Sequence, residues 1–198
     1  MRIPHLHSLD EYSPSLAQMV AKLSYLPHPD TVRALNGAAF PTARARRLHP
    51  RLSLILKDNE AIGMYDDNTT PTWALLWSHG IVGGQRKGWG FAHVWQVSDD
   101  TKSYTNIANL ALIPECFTSL TDKEGPLTSY LRWHAWVVYG WKPVNKETPS
   151  EPPEFDKIKW IYLERNTEPR QFINKRMLER NNDRVRILRP IMVKLGMS

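Results

Sequence analysis

The sequence predicts an α+β protein of 198 residues, an ordinary size for one domain. Apolar residues recur at helical spacing near the amino terminus and again after residue 126, which predicts helices at both places. Short runs of aromatic and β-branched residues lie between them and predict strands. We therefore expect a helical, basic segment over 1–60, a mixed core over 61–143, and a linker, strand and basic helical arm over 144–198.

The composition excludes several classes of protein. The single cysteine, Cys116, excludes an intramolecular disulfide framework and any zinc ribbon or finger that needs several thiolates. No apolar run reaches the roughly 18 residues of a membrane-spanning helix, and the first ten residues lack the apolar core of a secretory signal. We expect a cytoplasmic protein without a membrane partner. Its formal net charge of +6 is compatible with a polyanionic partner.

Two helices and an arginine-rich run are predicted in the first 60 residues. Ser13 followed by Pro14 is typical of a helix start, and Asp30 suits the start of a second helix that ends near Gly37. The arginines of the run that we expect to contact phosphates are Arg44, Arg46, Arg47 and Arg51. A solvated loop is an equally good interpretation of this run.

The middle of the chain contains most of the tryptophans and the predicted strands. Trp73–Trp77 is apolar and suits a strand or a short buried helix, whereas Gly80–Gly90 suits a flexible basic turn. Phe91–Val97 is a predicted strand, Asn109–Ile113 is a short apolar segment, and Pro126–Gly140 is a predicted helix. The side chains of the turn that we expect to contact nucleic acid are Arg86, Lys87 and Trp89, the last by stacking on a base.

The carboxyl-terminal part is strongly basic. Nine basic and four acidic side chains give 164–198 a net charge of +5, nearly all of the excess of the whole chain. Ile158–Leu163 predicts a strand, and Thr167 marks the start of a helix with Pro169 in its first turn. The basic residues of this helix that we expect to face nucleic acid are Lys175, Arg176 and Arg180. The helix also suits a dimer arm.

A spaced set of three residues carries the chemistry. His93 lies in a predicted strand, Asn109 follows sixteen residues later before Leu-Ala-Leu, and Asp122 follows thirteen residues after that. This pattern resembles the ββα-metal motif of HNH nucleases, in which a hairpin and a helix surround one divalent cation. The resemblance implies that His93 is the general base and that Asn109 orients it. It also implies that Asp122 is a helix ligand of Mg²⁺ or Mn²⁺, with Thr118 at the nearer ligand position.

One position departs from the family pattern. Ala92 stands immediately before the implied base, where HNH nucleases place a metal-binding Asp or His. The residues that we consider as replacement ligands are Asp66, Asp67 and His79. Asp66 and Asp67 precede Asn68 in a run that suits a turn presenting carboxylates, although a simple polar turn explains it too.

The predicted function is a metal-dependent DNA endonuclease, compatible with a restriction-type enzyme. Phosphodiester hydrolysis needs an activated water, for which a histidine with a pKa of about 6.5 is suited. It also needs charge neutralisation, for which a hard cation such as Mg²⁺ or Mn²⁺ is suited. Cutting both strands would most simply use a two-fold homodimer.

Two other functions stay open on the sequence. A non-catalytic nucleic-acid-binding module is favoured by Ala92 and predicts that His93→Ala leaves binding intact. A structural or interaction protein, whose tryptophans and basic tail serve a protein partner, predicts no salt-dependent DNA affinity.

Overall fold

The computed structural model describes residues 9–83, 87–121 and 125–197, and within these ranges it confirms the predicted α+β class. The helices are α1 (Ser13–Ala21), α2 (Pro29–Leu35), α3 (Thr69–Ser78), α4 (Thr128–Tyr139), α5 (Pro169–Leu178) and α6 (Asp183–Lys194). The strands are β1 (Tyr25–Leu26), β2 (Thr42–Arg44), β3 (Leu54–Lys57), β4 (Glu60–Asp66), β5 (Trp89–His93), β6 (Leu110–Pro114) and β7 (Ile161–Tyr162). Short 3-10 helices span Leu9–Tyr12, Ile107–Asn109, Glu115–Thr121 and Phe155–Lys157.

The larger sheet has the strand order β5-β6-β1-β7 and draws on all three predicted segments. Strands β5, β6 and β1 pair antiparallel, whereas β7 runs parallel to β1. The β5–β6 register places His93 opposite Leu110 and Trp89 opposite Pro114. The observed strand begins at Trp89, two residues before the predicted start at Phe91, and it ends at His93 and not at Val97. This histidine is therefore the last strand residue before the chain turns toward β6.

The smaller sheet has the order β2-β4-β3. Strand β2 runs parallel to β4, and β3 forms an antiparallel hairpin with it. The β2–β4 register places Arg44 opposite Asp66, the last residue of each strand. The carboxyl ends of these two parallel strands therefore bring a cation and a carboxylate to one edge of the sheet.

Helix α3 lies in the centre of the larger core cluster and is buried from Thr70 to Ser78. A helix that is apolar on all sides is stable only inside a protein, and this explains why Trp73–Trp77 forms a buried helix here. Trp73 and Trp77 stack with 4.5 Å between ring centroids, and Phe40 packs edge-on against both rings. The central helix thus carries a continuous aromatic surface.

The carboxyl-terminal arm is helical, as predicted, and packs on this core. Ile173 and Met177 of α5 are buried in the same cluster as Val185 and Leu188 of α6. Helix α6 was not predicted, because Pro190 stands inside it and proline disfavours a helix interior. The apolar side of α6 is buried, and this burial outweighs the missing backbone hydrogen bond.

Several helix boundaries depend on caps. Helix α2 is capped by His28, whose Nδ1 accepts a hydrogen bond from the backbone N–H of Asp30, so the predicted start at Asp30 lies two residues late. Gly140 adopts a left-handed conformation with φ of 64° and ends α4, as predicted.

Within the described residues, no helix has the length and apolar character needed to cross a membrane.

Candidate active site

His93 is held by one residue, Tyr104. Its Nε2 lies 3.1 Å from the carbonyl oxygen of Tyr104, and the two rings stack with centroids 5.2 Å apart and planes 4° from parallel. Because a carbonyl oxygen can only accept, Nε2 carries the hydrogen in the neutral ring. Nδ1 therefore has the lone pair, so the imidazole is held in a tautomer that can accept a proton there.

The environment of His93 keeps its ring neutral. Burial lowers the pKa of His93 to about 4, the hydrogen bond to Tyr104 opposes this shift, and the positive charge of Arg44 adds to it. The ordinary histidine pKa of about 6.5, which was expected from the sequence, does not allow for this burial. At neutral pH the ring is fully in its basic form, although it is a weaker proton acceptor than an exposed histidine.

Asn109 fixes the backbone that joins the two strands, which we call the connecting segment (94–106). Its Oδ1 accepts from the backbone N–H of Trp95 at 2.7 Å. Its Nδ2 donates to the carbonyls of Trp95 at 3.2 Å and of Ser103 at 3.1 Å. The side chain of Asn109 is 0% exposed, so all three bonds are shielded from water. Asn109 acts on His93 through this backbone, since Ser103 directly precedes Tyr104.

The hairpin and the following helix α4 enclose the smaller core cluster. Ala92 is 5% exposed and lies in this cluster with Ala111 of β6 and Leu131 of α4. Successive residues of a strand point to opposite faces, so Ala92 faces away from His93. The departure from the family pattern is therefore twofold, because position 92 lacks a donor atom and faces an apolar core.

Asp66 and Asp67 bind arginines at the carboxyl end of β4. Asp66 is 0% exposed, and its Oδ2 accepts from Nε of Arg184 at 2.7 Å, while its Oδ1 is buried without a partner. Asp67 contacts Nη2 of Arg184 at 3.3 Å and Nη1 of Arg51 at 3.1 Å. Burial raises the pKa of Asp67, but hydrogen bonds from Thr69 and Arg51 and the charge of Arg184 lower it below its ordinary value overall.

Tyr104 lies between the histidine and these carboxylates. Its ring stacks on His93, and its hydroxyl lies 3.0 Å from the carbonyl oxygen of Asp67 and 3.3 Å from Oδ1 of Asn68. Burial raises the pKa of Tyr104, so its hydroxyl keeps its proton and donates. One tyrosine therefore separates His93 from the Asp67–Asn68 turn and joins the two into one cluster.

His79 belongs to a different part of the molecule. It follows the carboxyl end of α3, whereas Asp67 precedes the amino end, and ten helical residues span about 15 Å. Its Nδ1 lies 2.7 Å from the carbonyl oxygen of Leu75, and its Nε2 accepts from the backbone N–H of His28 at 3.0 Å. Burial lowers the pKa of His79 to about 4. His79 and the two aspartates cannot share one ion, so we assign His79 a structural role.

The structure describes one of the two remaining implied ligands, Thr118. Asp122 lies outside the described residues. The hydroxyl of Thr118 donates to the carbonyl oxygen of Glu115 at 2.9 Å. Among the described residues, no group of three or more His, Cys, Asp or Glu side chains is close enough together to hold a metal ion.

The expected nucleic-acid contacts differ in exposure. The exposed cations of the set are Arg44, Arg46, Arg47, Lys87 and Lys175. Trp89 is half-buried and packs against Tyr25, with ring centroids 5.6 Å apart. It is therefore a less open stacking platform than the sequence predicted. Arg86 lies outside the described residues.

Arg176 and Arg180 are packed on the tryptophans of α3. Their guanidinium carbons, with that of Arg184, lie 5.1–6.0 Å from the ring centroids of Trp73 and Trp77. We call these five side chains the Trp–Arg stack. Nε of both Arg176 and Arg180 is buried without a partner, and Arg176 also pairs with Glu179. These arginines were expected on a free basic face, but their aliphatic stems cover the aromatic core.

Two parts of the cluster could not be identified from the sequence as site residues. Tyr104 stands in a polar run, and no local pattern marks it. Arg184 follows Arg180 and Arg176 at four-residue intervals. This spacing is visible in the sequence, but the three arginines were counted there only toward the net charge.

No family model, no curated protein and no solved structure matches this chain significantly.

Proposed function

We propose that this chain is a metal-dependent DNA endonuclease of the HNH kind, with His93 as general base and Asn109 as its positioning residue. The observation that carries the proposal is the joint placement of these two side chains. His93 ends the first strand of an antiparallel pair, and the buried Asn109 bonds to both ends of the segment that connects the strands. Helix α4 shares a buried apolar cluster with this pair, although it begins at Thr128, after the implied ligand positions 118 and 122. This arrangement supports the resemblance found in the sequence.

His93 would take a proton from the attacking water at Nδ1. Its low pKa opposes this step, because the imidazolium would form in a buried environment and near the positive charge of Arg44. A bound phosphate would reverse the balance, since a negative charge beside the ring favours its protonated form. Substrate binding would thus raise the pKa of His93 toward the range in which a general base is efficient.

Arg44 would bind the phosphate that the water activated by His93 attacks. It is exposed at the end of β2, and its backbone N–H donates to the carbonyl oxygen of Ser98 in the connecting segment at 2.6 Å. A guanidinium at this position can pair with two oxygens of one phosphate. Arg46, Arg47, Lys87 and Lys175 would bind phosphates further along the DNA.

The proposed cofactor is Mg²⁺ or Mn²⁺, which would supply charge neutralisation on the phosphate and the leaving oxygen. The buried Oδ1 of Asp66 has lone pairs to offer, but its Oδ2 and the carboxylate of Asp67 are already neutralised by Arg184 and Arg51. These carboxylates do not form a complete ligand set. The proposed metal dependence therefore rests on Asp122.

A non-catalytic nucleic-acid-binding module is the second candidate function. The observation that favours it is Ala92, because an apolar core lies where HNH nucleases have a metal ligand. This function keeps the roles of the exposed arginines and lysines and removes that of His93.

Cleavage of plasmid DNA separates the two functions. Wild type, His93→Ala and the control His49→Ala would be compared with Mg²⁺, with Mn²⁺ and with EDTA. His49 is exposed, and its ring stacks on Tyr65. We expect cleavage that requires metal, is lost in His93→Ala and persists in His49→Ala. DNA that is retarded on a gel but never cut would support the binding module.

A homodimer is part of the endonuclease proposal, because one site cuts one strand at a time. A restriction-type, cytoplasmic role would follow from cleavage at defined sequences. Analytical ultracentrifugation of the protein with and without duplex DNA tests the dimer. A protein that cuts both strands but sediments as a monomer, both alone and on the DNA, would contradict it.

A further inference from the structure

A groove of about 770 Å³ opens beside the connecting segment. It lies between the turn after α2, the connecting segment and the last described residues of the chain. Its described lining includes neither His93 nor Asn109 nor Arg44. The volume falls within the range of about 300–1,000 Å³ that is typical of small-ligand sites.

The walls of the groove are mostly apolar. Leu35, Pro41, Ile62 and Pro143 contribute aliphatic surface, and the half-buried Trp141 contributes an indole ring. Such walls favour the burial of a flat, weakly polar ring against the indole. They offer little to a strongly hydrated ligand.

Three cations line the same groove. The guanidinium of Arg170 donates to the carbonyl oxygens of Ala39 at 2.8 Å and Ala38 at 2.9 Å. Nζ of Lys142 donates to a carbonyl oxygen as well, that of Lys146 at 2.7 Å. These partners are neutral, so they position both charges without cancelling them. The third cation is the exposed Lys102.

The carboxylate of Asp100, the acidic residue of the described lining, accepts hydrogen bonds from the loop that contains it. It accepts from the backbone N–H of Lys102 at 3.0 Å and from Oγ of Ser103 at 2.5 Å. The described lining therefore has a net positive charge, and it attracts anions.

We propose that this groove binds one unpaired nucleotide of the nucleic acid substrate, with the base against Trp141 and the phosphate near Arg170, Lys102 and Lys142. An aromatic wall beside cations matches a ligand that has both a flat ring and a phosphate. The inference rests on the proposed function, because it takes the ligand from the same nucleic acid. A nucleotide that is already unpaired would be favoured, since extruding one from a duplex costs the free energy of its base pairing and stacking.

The groove and the candidate active site share the connecting segment. Ser103 lines the groove, and its carbonyl oxygen accepts from Nδ2 of Asn109. The next residue, Tyr104, holds the ring of His93. A nucleotide in the groove would therefore hold its strand against the backbone that positions the general base.

Calorimetric titration with the four nucleoside 5′-monophosphates tests the proposal on the full chain. The matched nucleosides and inorganic phosphate are the comparison ligands. We expect at least one monophosphate to bind at least tenfold more tightly than either part alone. Lys102→Glu with Lys142→Glu should weaken it at least tenfold, and Trp141→Phe should weaken it less. Lys159→Ala, which removes an exposed lysine outside the groove, is the control and should change nothing.

The outcomes separate this inference from the proposed function. Monophosphate binding that depends on the groove, together with a complete lack of DNA cleavage, would support the groove and contradict the nuclease. DNA cleavage together with no monophosphate binding, or with binding that the lysine variants leave unchanged, would overturn the groove assignment.

Discussion

Tyr104 holds His93 in two ways at once, with its carbonyl oxygen 3.1 Å from Nε2 and its ring stacked 5.2 Å away and nearly parallel. The hydrogen bond fixes the tautomer of the imidazole, and the stacking fixes the plane of its ring. The hydroxyl of the same tyrosine reaches the Asp67–Asn68 turn. Because the tyrosine contributes both backbone and side chain, its different contacts can be separated by substitution.

Tyr104→Phe is expected to leave the candidate base in place. The substitution keeps the carbonyl oxygen and the stacked ring and removes only the hydroxyl, so we expect a loss of about 1 kcal/mol of unfolding free energy, the net worth of one hydrogen bond. Tyr104→Ala also removes a buried ring and should cost about 3–5 kcal/mol. Urea unfolding measures both, and equal losses would contradict the assigned contacts.

Asn109→Ala is expected to destabilise the connecting segment. The substitution leaves the N–H of Trp95 without its partner, and an unsatisfied buried group costs about 1–3 kcal/mol. The carbonyl oxygens of Trp95 and Ser103 lose one bond each but still accept from the backbone N–H groups of Val97 and Asn106. Asn109→Asp is the matched variant, because it keeps the acceptor for Trp95 and loses both donations. Amide hydrogen exchange over 94–106 should accelerate in both variants, and most in Asn109→Ala. Unchanged exchange would contradict the role given to Asn109.

The stability of the protein is expected to fall as the pH is lowered from 7 to 5. Burial lowers the pKa of His79 and His93 to about 4 and that of His134 to about 3, whereas unfolded histidines titrate near 6.5. Below pH 6.5 the unfolded chain therefore binds protons that the folded chain does not. Each histidine then lowers the unfolding free energy by up to about 1.4 kcal/mol per pH unit until its folded pKa is reached.

Urea midpoints measured between pH 7.5 and 5 test this dependence. His134→Gln removes one titrating group while leaving an amide that can face the Tyr162 hydroxyl, which lies 2.9 Å from Nε2 in the wild type. The unfolding free energy of the variant should depend less steeply on pH, because unfolding would then take up about one proton fewer. A wild-type midpoint that does not move over this range would show that the three rings are not buried in their neutral form.

The buried pair between Asp66 and Arg184 is expected to matter far more than a surface pair on the same helix. Asp66 is fully buried, so Arg184→Ala leaves an uncompensated charge and should cost about 3–5 kcal/mol. Arg186 pairs with Asp183 at the surface, so Arg186→Ala should cost at most about 1 kcal/mol. Thermal unfolding of the two variants compares them directly, and similar losses would contradict the burial of this pair.

Arg180 and Arg47 are expected to differ in what their removal changes. The guanidinium carbon of Arg180 lies 5.1 Å from the ring centroid of Trp73 and 5.2 Å from that of Trp77. Because Arg180→Ala removes these cation–π and packing contacts, it should lower the unfolding free energy by about 1–2 kcal/mol. Arg47 is exposed, so Arg47→Ala should leave the unfolding free energy unchanged. It should reduce the slope of log affinity for DNA against log salt concentration by about 1, the effect of losing one phosphate contact. Gel retardation at several salt concentrations, beside urea unfolding, distinguishes the two roles.

Local patterns predicted the features that depend on near neighbours in the sequence. Gly140 ends α4 because only a left-handed residue fits there, and the apolar spacing before it marks the helix itself. The same kind of pattern placed His93 in a strand, though inside Phe91–Val97 and not at its end, and placed Asn109 at the start of the apolar segment that forms β6.

The features that were missed depend on distant parts of the chain. Strand β1 has only two residues and forms because the fold brings Tyr25 beside Ile161 of β7, which lies within the predicted strand Ile158–Leu163. The arginines of the arm look like a free basic face until α3 presents Trp73 and Trp77 to them. His79 was considered beside the aspartates because the sequence does not show that a buried helix separates them.

The role of His93 is tested most directly by single-turnover DNA cleavage with His93→Ala in the presence and absence of added imidazole. The account predicts that the rate falls by about 10²–10⁴, the usual contribution of a general base, while DNA retardation persists. Imidazole should restore part of the lost rate by replacing the missing ring. Cleavage by His93→Ala at the wild-type rate would contradict the account, because another residue would then activate the water.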